Sequence, residues 1–428
     1  MPKAVLSNRI FMEVTPELQE SIRKELSYTI PGYRPDEPPI TIRNMSLIKP
    51  GLITIPSGRM DLIPKEYEVI DKRVENFVEF PEFRGTLRSS QQKIYDDIED
   101  SAIINAWVSF GKTFTALAIA GLFGQKTLVV THTLALRNQW VEEVKKVYGF
   151  TPGIIGSGKF NTSQPITVGN VQSLYKCMAR IEKEFGLVIL DEMHHVSSPT
   201  FSRILDKSCA RYKLGLSGTL QRKDGKHVVF RDYFSNKVYI PPRENFMEPQ
   251  VHVFPCSTRL PDGANTPWAK RINAIAYNDE YQHSISIIAS GYAAKGHTVL
   301  VVSDRVAFLK KCAELTGDIA VCVTGDTPHE ERERLVSLVK DGHKKVLFGT
   351  QSIFSEGISV NNLSCLVLGT PINNEPLLIQ LIGRVIRELG GKQQPIIVDI
   401  NLQGRTAARQ AKERLGIYMK EGWRIKRL

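Results

Sequence analysis

The segment Gly111-Lys112-Thr113 has the residue types that hold the phosphates of a nucleotide. It lies between a short apolar run and a helix-forming stretch, and a small residue, Ala106, begins the loop that leads to it. A glycine lets the backbone approach the phosphates, and the amides at the start of the helix face the anion. Lys112 would neutralise the β- and γ-phosphates, and the Thr113 hydroxyl would ligate Mg2+. The spacing therefore predicts a phosphate loop over residues 106–113.

A second candidate group follows some 80 residues later, where an apolar run ends in two carboxylates. Leu187 to Leu190 are all apolar, and Asp191 and Glu192 come directly after them. Such a run predicts a buried parallel strand whose acids lie at the carboxyl end of the sheet, which is where open α/β sheets hold ligands. One carboxylate at that place can hold Mg2+ beside phosphates, and the second can orient a water.

The elements that must position these residues are visible from Arg84 onward. Apolar strands alternate there with helical stretches, which predicts an α/β fold built from βαβ units around a parallel sheet. A helix from Phe114 to Leu122 follows the phosphate loop, and another opens after Leu87 with Ser89 or Ser90 as its cap. The strands predicted in this half are 101–106, 127–130, 166–170, 187–190 and 212–216.

The second half of the chain repeats the strand–helix pattern but contains no second Gly-Lys-Thr. We predict one helix from Ile272 to Ala294. Gln380, Arg384 and Arg387 are spaced i, i+4 and i+7, which places them on one face of a later helix. Two arginines on one face, in a domain without its own phosphate loop, predict fingers that reach across a cleft to a γ-phosphate. A solvated basic helix face is the alternative interpretation.

The length of 428 residues predicts two or three domains. We predict a small α+β module at residues 1–83 and two α/β domains at residues 84–243 and 244–428. In the small module, Thr15 is the expected N-cap of a helix, and Arg59 is expected to be an exposed surface arginine.

Charge and composition narrow the class of partner. The net charge of +11 indicates a polyanionic partner. Residues 1–83 contain 11 basic and 13 acidic residues, so the basic excess lies elsewhere, and residues 405–428 contain eight basic and two acidic residues. No apolar run is long enough to span a membrane, so no membrane partner is expected. The six cysteines are scattered, which argues against a zinc site or a disulfide framework and favours a reducing cytoplasm.

The ordered set of motifs resembles the superfamily 2 DExH helicases. The motifs are GKT, DEMHH, SGT, Thr350 with Glu356-Gly357-Ile358, and QLIGRVIR, and the resemblance covers roughly residues 84–400. The segments LRSSQ and GLSGTLQRKDG are most similar to the XPB/UvsW group and, within it, to phage branch-migration helicases of the UvsW type. This resemblance implies two tandem RecA-like domains, each a parallel sheet flanked by helices, with ATP in the cleft between them.

The resemblance also implies roles for individual residues. Gln91 would read the adenine, Asp191 would hold Mg2+, and Glu192 would activate the attacking water. The implied catalytic set is Lys112, Asp191, Glu192, Arg384 and Arg387. The implied nucleotide-binding set is Gln91, Ala106, Gly111, Lys112, Thr113, Gly357 and Gln380, with Thr113 and Asp191 as the Mg2+ ligands. Coupling of the ATP site to DNA would use His195, Ser217 and Thr219. Contacts to the DNA strand backbone would use Thr133, Arg137, Gln172, Ser303, Arg305 and Thr350.

Three departures from the family pattern are visible. Ser359 stands where relatives commonly have an aspartate after EGI, which removes a group expected to contact the ribose. Trp107, Val108 and Phe110 make the phosphate loop bulky. The motif at residues 217–219 is SGT in place of the commoner SAT.

These features predict an ATP-dependent DNA helicase or translocase, with ATP and Mg2+ as cofactors, that unwinds or branch-migrates forked, D-loop or junction DNA in replication, recombination or repair. Binding to the strand backbone would be largely independent of sequence. Replication or recombination proteins are further candidate partners, and the expected location is the cytoplasm, that of a host cell if the protein is phage-encoded. The alternatives are an RNA helicase, the motor subunit of a restriction system, and a nucleotide-gated nucleic-acid clamp that does not unwind.

Overall fold

The computed structural model describes residues 1–30, 38–107, 110–193, 199–218, 229–244, 246–262, 266–356 and 360–428. For residues 199, 200, 329, 355 and 356 it describes only the backbone. The chain divides into two compact units, Met1–Pro242 and Arg243–Leu428. Within the first unit, the division at residue 83 remains a prediction.

A small mixed sheet begins the first unit. Its elements are β1 (Lys3–Leu6), β2 (Arg9–Glu13), α1 (Pro16–Glu25), β3 (Ser27–Ile30), β4 (Ile40–Arg43), β5 (Ser46–Lys49), β6 (Leu52–Pro56) and β7 (Glu68–Asp71). The sheet order is β5-β6-β2-β1-β7, and β3 pairs with β4 alone. Thr15 caps α1, as predicted, because its side chain accepts a hydrogen bond from the amide of Leu18.

The turn at residues 57–59 fastens this small sheet to the rest of the unit. The amide of Gly58 donates to the carbonyl of Asp232 at 2.9 Å, and a Cβ at Gly58 would lie 2.5 Å from the carbonyl oxygen of Arg231. Arg59 is only 6% exposed and forms ion pairs with Glu25, Asp61 and Asp232. The prediction of an exposed Arg59 was wrong, because its partners come from both sides of this junction.

A buried lysine lies at the same junction. Lys213 is 3% exposed, and its ammonium donates to Ser57 Oγ at 2.7 Å and to the carbonyl of Leu205 at 3.1 Å. Burial lowers the pKa of Lys213 to about 8, against a weaker opposing effect of Asp206. Burial therefore makes the charged form less favourable in the folded protein than in the unfolded chain, and the folded protein releases this proton near pH 8.

Replacing Lys213 with methionine should remove a pH-dependent cost of folding. The unfolded chain holds this proton up to a pH near 10.5, whereas the folded protein releases it near pH 8, so wild-type stability rises with pH between those values. We expect the free energy of unfolding of Lys213→Met, relative to that of wild type, to fall by about 1.4 kcal/mol for each pH unit in that window. Denaturant unfolding at pH 7.5, 8.5 and 9.5 measures it.

The matched control for this experiment is Lys237→Met. Lys237 is exposed and pairs with Asp97 at 2.8 Å, so its removal should give a difference that does not change with pH over the same range. A Lys213→Met difference that stays constant with pH would contradict a buried, weakly basic lysine.

An eight-stranded sheet forms the centre of the first unit. Its strands are β8 (Ala102–Asn105), β9 (Thr127–Thr131), β10 (Gly153–Gly156), β11 (Lys159–Phe160), β12 (Ile166–Asn170), β13 (Leu187–Leu190), β14 (Tyr212–Ser217) and β15 (Val238–Tyr239). The helices are α2 (Ser89–Asp97), α3 (Lys112–Phe123), α4 (Leu134–Tyr148), α5 (Val171–Ile181), α6 (Pro199–Lys207) and α7 (Phe230–Tyr233). The order is β11-β10-β12-β9-β13-β14-β8-β15, and every pair is parallel except β10–β11.

The strand that ends in the two carboxylates lies in the middle of this sheet. β13 pairs with β9 on one side and β14 on the other, and each of its residues is at most 1% exposed. Helices α2, α3 and α4 cover one face of the sheet, and α5, α6 and α7 cover the other. The prediction of a buried parallel strand is confirmed, and it follows from the uninterrupted apolar run.

The second unit contains a seven-stranded sheet that is parallel throughout. Its strands are β16 (Gln250–Arg259), β17 (Val299–Ser303), β18 (Ala320–Val323), β19 (Val346–Thr350), β20 (Cys365–Leu368), β21 (Ile396–Gln403) and β22 (Arg424–Arg427). The helices are α8 (Trp268–Ala276), α9 (Asp279–Ala294), α10 (Val306–Thr316), α11 (His329–Lys340), α12 (Gln351–Glu356), α13 (Glu375–Val385) and α14 (Arg405–Lys420). The order is β18-β19-β17-β20-β21-β16-β22.

The single helix predicted from Ile272 to Ala294 is two helices. α8 ends at Ala276, and Asn278 caps α9 by accepting a hydrogen bond from the amide of Tyr281 at 2.8 Å. The break was missed because the apolar spacing of a helix continues through it. The signal that marks it is one capping asparagine, Asn278.

A buried ion pair fixes α14 to the second sheet. Arg414 and Asp399 are both 3% exposed, and the guanidinium donates two hydrogen bonds to the carboxylate at 2.7 and 2.8 Å. The hydroxyl of Tyr418 donates to the same carboxylate at 2.9 Å. The basic C-terminal helix is therefore part of the core packing of this unit.

No helix in the described ranges is both long enough and apolar enough to cross a membrane.

Candidate active site

The two acidic residues after β13, Asp191 and Glu192, differ in backbone geometry. The amide of Asp191 donates to the carbonyl of Val130 at 3.1 Å, so Asp191 continues the strand pairing by one residue. Glu192 then turns away with φ of +50°, an uncommon value for a residue with a side chain. The turn gives two adjacent acids different positions at the edge of the sheet.

The carboxylate of Asp191 is nearly buried, and two groups of the chain hold it. The indole Nε1 of Trp140 donates to Oδ2 at 2.7 Å, and the amide of Glu192 donates to Oδ1 at 2.9 Å. Burial raises the pKa of Asp191, and the nearby Glu192 raises it further. Trp140 and the ammonium of Lys112 act in the opposite direction, because each stabilises the ionised form.

The predicted phosphate loop leaves the sheet at the end of β8, and β14 lies between β8 and β13. The amide of Ala106, just past β8, donates to the carbonyl of Ser217 at the end of β14 at 3.0 Å. Gly111 has a left-handed conformation with φ of +86°, and α3 begins at the next residue, Lys112. The Lys112 ammonium donates to the carbonyl of Ala106 at 3.0 Å, and Thr113 is half-buried in the first turn of α3.

Gln91 braces the loop from α2. It is 2% exposed, its Nε2 donates to the carbonyl of Phe110 at 2.8 Å, and its Oε1 accepts from the amide of Arg88 at 2.9 Å. The guanidinium of Arg88 donates to the same Phe110 carbonyl. The predicted cap Ser89 or Ser90 was wrong by one or two residues: the capping position is Arg88, because its amide bonds to the Gln91 side chain.

Gly111→Ala should weaken nucleotide binding, because a Cβ there has no room. It would lie 2.8 Å from Gln91 Nε2 and 3.3 Å from the nearest Arg88 nitrogen, in a backbone conformation that costs a side-chain-bearing residue about 1–2 kcal/mol. We expect ATP affinity to fall roughly 10- to 100-fold, as measured by calorimetric titration.

Gly124→Ala is the control for this substitution. Gly124 ends the same helix with φ of +60°, and a Cβ there would meet nothing within 4 Å. It therefore carries the backbone strain alone and should leave ATP affinity unchanged. Equal ATP affinities for the two variants would contradict a specific role of the contact between Gly111 and Gln91.

The side chains at this edge suit a nucleotide with Mg2+. A left-handed glycine before a helix start provides room and amides for phosphate oxygens, and Lys112 provides a positive charge. The Thr113 hydroxyl and the Asp191 carboxylate are hard oxygen ligands, and Mg2+ in phosphate sites takes one or two carboxylates with phosphate oxygens and waters. The donor set therefore fits the metal.

In the first unit, the residues predicted to contact the nucleic-acid strand lie together at the carboxyl ends of the β-strands. The Thr133 side chain caps α4 by accepting from the amide of Leu136, and Arg137 one turn later donates to Ser157 Oγ at 3.0 Å. Gln172 is exposed at the start of α5 and accepts from the side chain of Asn170 at 2.8 Å. A Cβ at Gly156 would lie near both Asn170 and Arg137, which shows that the group is contiguous.

The candidate strand contacts of the second unit also meet. Ser303 and Thr350 are direct partners across β17 and β19, and both are at most 8% exposed. The Ser303 hydroxyl lies 3.0 Å from that of Thr370 and accepts from the amide of Arg305 at 3.1 Å. The Arg305 side chain is 3.6 Å from the carboxylate of Asp304.

The two candidate finger arginines do not share a helix. α13 ends at Val385, so Gln380 and Arg384 are helical and Arg387 is not; the prediction of one helical face for all three was wrong. Arg387 instead forms an isolated antiparallel bridge with Phe246. The side chain of Arg384 donates to the carbonyl of Phe354 at 2.8 Å, and that of Arg387 donates to Asn361 Oδ1 at 3.0 Å.

Three of the candidate residues lie outside the described ranges: His195, Thr219 and Gly357. Ser217 is described; it is fully buried at the end of β14, and its backbone contacts the phosphate loop. Of the three residues predicted to couple the ATP site to DNA, Ser217 is therefore the one whose position is described.

The sequence interpretation missed several residues that the structure brings to these edges. Trp140 contacts Asp191, Arg88 contacts the phosphate loop, and Asn170 and Thr370 lie beside candidate strand contacts. Asn170 and Thr370 had a signal, because each follows an apolar strand in the same way as Ser303 and Thr350. Trp140 had none, since a tryptophan at helical spacing predicts only core packing.

Comparison with known families assigns both halves of the chain. Residues 72–222 match the family described as type III restriction enzyme, res subunit, and residues 280–388 match the helicase conserved C-terminal domain. With the two largely parallel sheets, these matches define an ATP-dependent helicase, an enzyme that binds nucleic acid and uses ATP.

The relatives place it more closely. The chain is 41% identical to probable helicase D10 of Escherichia phage T5, over 99% of this chain and 95% of that protein. It is 27% identical to a putative ATP-dependent RNA helicase of Acanthamoeba polyphaga mimivirus, over 87% of this chain and 77% of that one, and 25% identical to the ATP-dependent DNA helicase uvsW of Enterobacteria phage T4, over 70% and 64%. The chain belongs to the superfamily 2 helicases of the UvsW-like type, as its motifs predicted.

A solved structure supports the fold. S. cerevisiae Dbp5 bound to RNA and ADP BeF3 matches with a TM-score of 0.57 and 13% identity, over 79% of this chain and 89% of that one. At this identity the likeness concerns the fold alone. The prediction of two tandem RecA-like domains is confirmed.

Proposed function

We propose that this helicase acts on DNA and that it unwinds or branch-migrates forked, D-loop or junction substrates in replication, recombination or repair. The observation that carries the proposal is the match to the ATP-dependent DNA helicase uvsW over 70% of the chain. The net charge of +11 suits a polyanion, and the hydroxyl, amide and guanidinium groups at both sheet edges suit phosphates and sugars rather than base edges.

We further propose how the residues at the ATP site divide the work. Lys112 neutralises charge on the β- and γ-phosphates, and the loop amides before α3 orient them. Gln91 holds the loop in shape through Phe110 and reads the adenine with its remaining capacity for hydrogen bonds. Mg2+, held by Thr113 and Asp191, would neutralise the charge that develops on the phosphate oxygens.

Hydrolysis in this proposal depends on Glu192. Its carboxylate orients the attacking water and accepts its proton, while the water oxygen attacks the γ-phosphorus and the bond to the β-γ bridging oxygen breaks. The φ of +50° at Glu192 turns this residue out of the strand while Asp191 remains in it, which suits separate roles for the two acids. Arg384 and Arg387 stabilise the charge on the transferred phosphoryl group.

Movement along DNA in this proposal uses contacts on both units. Thr133, Arg137 and Gln172 would hold the strand on the first unit, and Ser303, Arg305 and Thr350 would hold it on the second. Because these contacts are to the backbone, a step made by one hydrolysis cycle does not depend on the base sequence.

The choice between DNA and RNA is tested by stimulation of ATP hydrolysis. Single-stranded DNA and RNA of the same sequence and length should be titrated against the protein at fixed salt, because phosphate contacts make affinity strongly salt-dependent. We expect DNA to stimulate hydrolysis more strongly than RNA. Stronger stimulation by RNA would favour the RNA helicase alternative, which the match to a putative RNA helicase supports.

The preferred structure is tested by strand displacement. A panel of forks, D-loops, four-way junctions and blunt duplexes should be incubated with ATP and with a non-hydrolysable analogue. We expect ATP-dependent product from branched substrates and little from blunt duplexes. Binding to all substrates without displacement would support the nucleotide-gated clamp, and displacement limited to blunt duplexes would argue against branch migration.

A further inference from the structure

One hydrogen bond connects the ATP site to the helix that carries two candidate strand contacts. Trp140 is 1% exposed and Asp191 is 6% exposed, and the indole Nε1 lies 2.7 Å from the carboxylate Oδ2. A buried indole N–H normally finds an acceptor, and a bond to an ionised carboxylate is stronger than a neutral one. The bond is therefore a defined interaction of the site rather than incidental packing.

The bond sets the orientation of the Asp191 carboxylate. Its other oxygen, Oδ1, accepts from the amide of Glu192 at 2.9 Å, so each oxygen has one donor from the protein. Two donors on opposite oxygens fix the plane of the group, and the remaining lone pairs have fixed directions. Groups that hold a metal ligand in this way commonly change metal affinity or activity 10- to 100-fold when they are lost.

Trp140 also belongs to the helix of the candidate strand contacts. Thr133 caps α4, Arg137 lies one turn into it, and Trp140 lies one turn further. The spacings of four and three residues put all three on one side of the helix, with about 10 Å between the first and the last along the axis. A shift of α4 relative to β13 on strand binding at Thr133 and Arg137 would move the indole donor relative to Asp191.

We infer that Trp140 is a positioning residue that couples strand binding at α4 to the orientation of Asp191, and so carries part of the nucleic-acid stimulation of ATP hydrolysis. This inference rests on the proposed role of Asp191 as the Mg2+ ligand. Trp140 touches neither substrate in this scheme; it acts through Asp191.

The test is Trp140→Phe, which keeps an aromatic ring in the core and removes the donor. We expect turnover in the presence of single-stranded DNA to fall roughly 10- to 100-fold, with a rise of similar size in the Mg2+ concentration needed for half-maximal rate. At saturating Mg2+ the KM for ATP should stay close to wild type, and so should the affinity for DNA without nucleotide, because neither then depends on the indole donor. Binding of Mn2+ in the presence of ADP, followed by electron paramagnetic resonance, should weaken by a similar factor without any turnover.

Trp423→Phe is the matched control. Trp423 is 5% exposed and stacks on Tyr418 in the second unit, so its loss removes a comparable buried indole outside the ATP site. It should leave DNA stimulation and Mn2+ binding at wild-type values. Wild-type stimulation and wild-type Mn2+ affinity in Trp140→Phe would overturn the inference.

A second measurement covers the case in which Trp140→Phe fails to fold. The indole N–H resonances of 15N-labelled wild-type protein can be assigned by elimination with Trp107→Phe, Trp268→Phe and Trp423→Phe. We expect the Trp140 resonance to shift when ADP with Mg2+ is added and, separately, when single-stranded DNA is added alone. If the chemical shift of the Trp140 resonance changed with neither addition, the inferred coupling would be overturned.

Asp191→Asn, measured beside these variants, separates this inference from the proposed function. Near-normal hydrolysis in Asp191→Asn would refute the site itself. Loss of hydrolysis in Asp191→Asn together with normal behaviour of Trp140→Phe would refute only the coupling through Trp140.

Discussion

Replacing Lys112 with alanine should abolish nucleic-acid-stimulated ATP hydrolysis while nucleic-acid binding persists. Lys112 begins α3 directly after Gly111, and it is close enough to Asp191 to lower the pKa of that carboxyl. Without the ammonium, the charge that develops on the β- and γ-phosphates loses its nearest cation from this loop. We expect turnover to fall at least 10³-fold, equivalent to about 4 kcal/mol of transition-state stabilisation.

The measurement is steady-state phosphate release with and without single-stranded DNA, beside DNA binding by fluorescence anisotropy. Lys126→Ala is the control, because Lys126 lies at the opposite edge of the same sheet, just before β9, and pairs with Glu184 at 2.7 Å. The control should hydrolyse ATP normally. If Lys112→Ala kept the wild-type rate, residues 106–113 would not be the phosphate loop.

The elements of the site that could be predicted are those whose structure depends on residues adjacent in the sequence. The run Leu187 to Leu190 is apolar at every position, so it predicts a strand buried on both faces, and its acids then fall at the carboxyl edge. Gly111-Lys112-Thr113 likewise predicts a loop and a helix start from adjacent residues alone. Both predictions concern backbone positions, and both elements formed where expected.

Side-chain partners across long sequence distances could not be predicted. Trp140 and Asp191 are 51 residues apart, and Arg59 and Asp232 are 173 apart. Each pair depends on which helix or turn packs against which strand, and a single sequence carries no direct record of that choice. Arg59, expected on the surface, is therefore buried. Trp140, which the sequence interpretation did not single out, donates to a candidate metal ligand.

The end of α13 also depends on a partner that is distant in the sequence, and the prediction was wrong there by less than one helical turn. The spacing of Gln380, Arg384 and Arg387 suits a helix through all three. The helix stops at Val385 because residue 387 pairs instead with Phe246, which lies 141 positions earlier and had no visible link to it. The end of a helix depends on such competing partners as well as on local pattern.

Arg387→Ala should stop ATP turnover and leave ATP binding nearly intact. An arginine that stabilises the transferred phosphoryl acts on charge that develops only in the transition state, and such residues contribute roughly 10³- to 10⁵-fold to turnover. We expect a loss of at least 10³-fold in the rate and a change of less than about threefold in ATP affinity. Single-turnover hydrolysis and calorimetric titration of a non-hydrolysable analogue measure the two quantities separately.

The backbone around Arg387 makes this substitution informative. Its main chain bridges to Phe246, and its carbonyl accepts from the Lys392 ammonium at 2.6 Å, so both contacts survive the loss of the side chain. The substitution removes the side chain beyond Cβ, including the guanidinium and its bond to Asn361. Arg387→Lys should also be slow, since an ammonium lacks the planar fork of guanidinium donors.

Arg334→Ala, which removes an exposed arginine paired with Glu331 on α11, should hydrolyse ATP at the wild-type rate. Normal turnover in Arg387→Ala would assign the arginine a structural role through Asn361 and leave Arg384 as the candidate finger. A slow Arg387→Ala that binds ATP normally and unfolds at the wild-type temperature would instead exclude a folding defect, because the ground-state site and the fold would both be intact while the transition state was not stabilised.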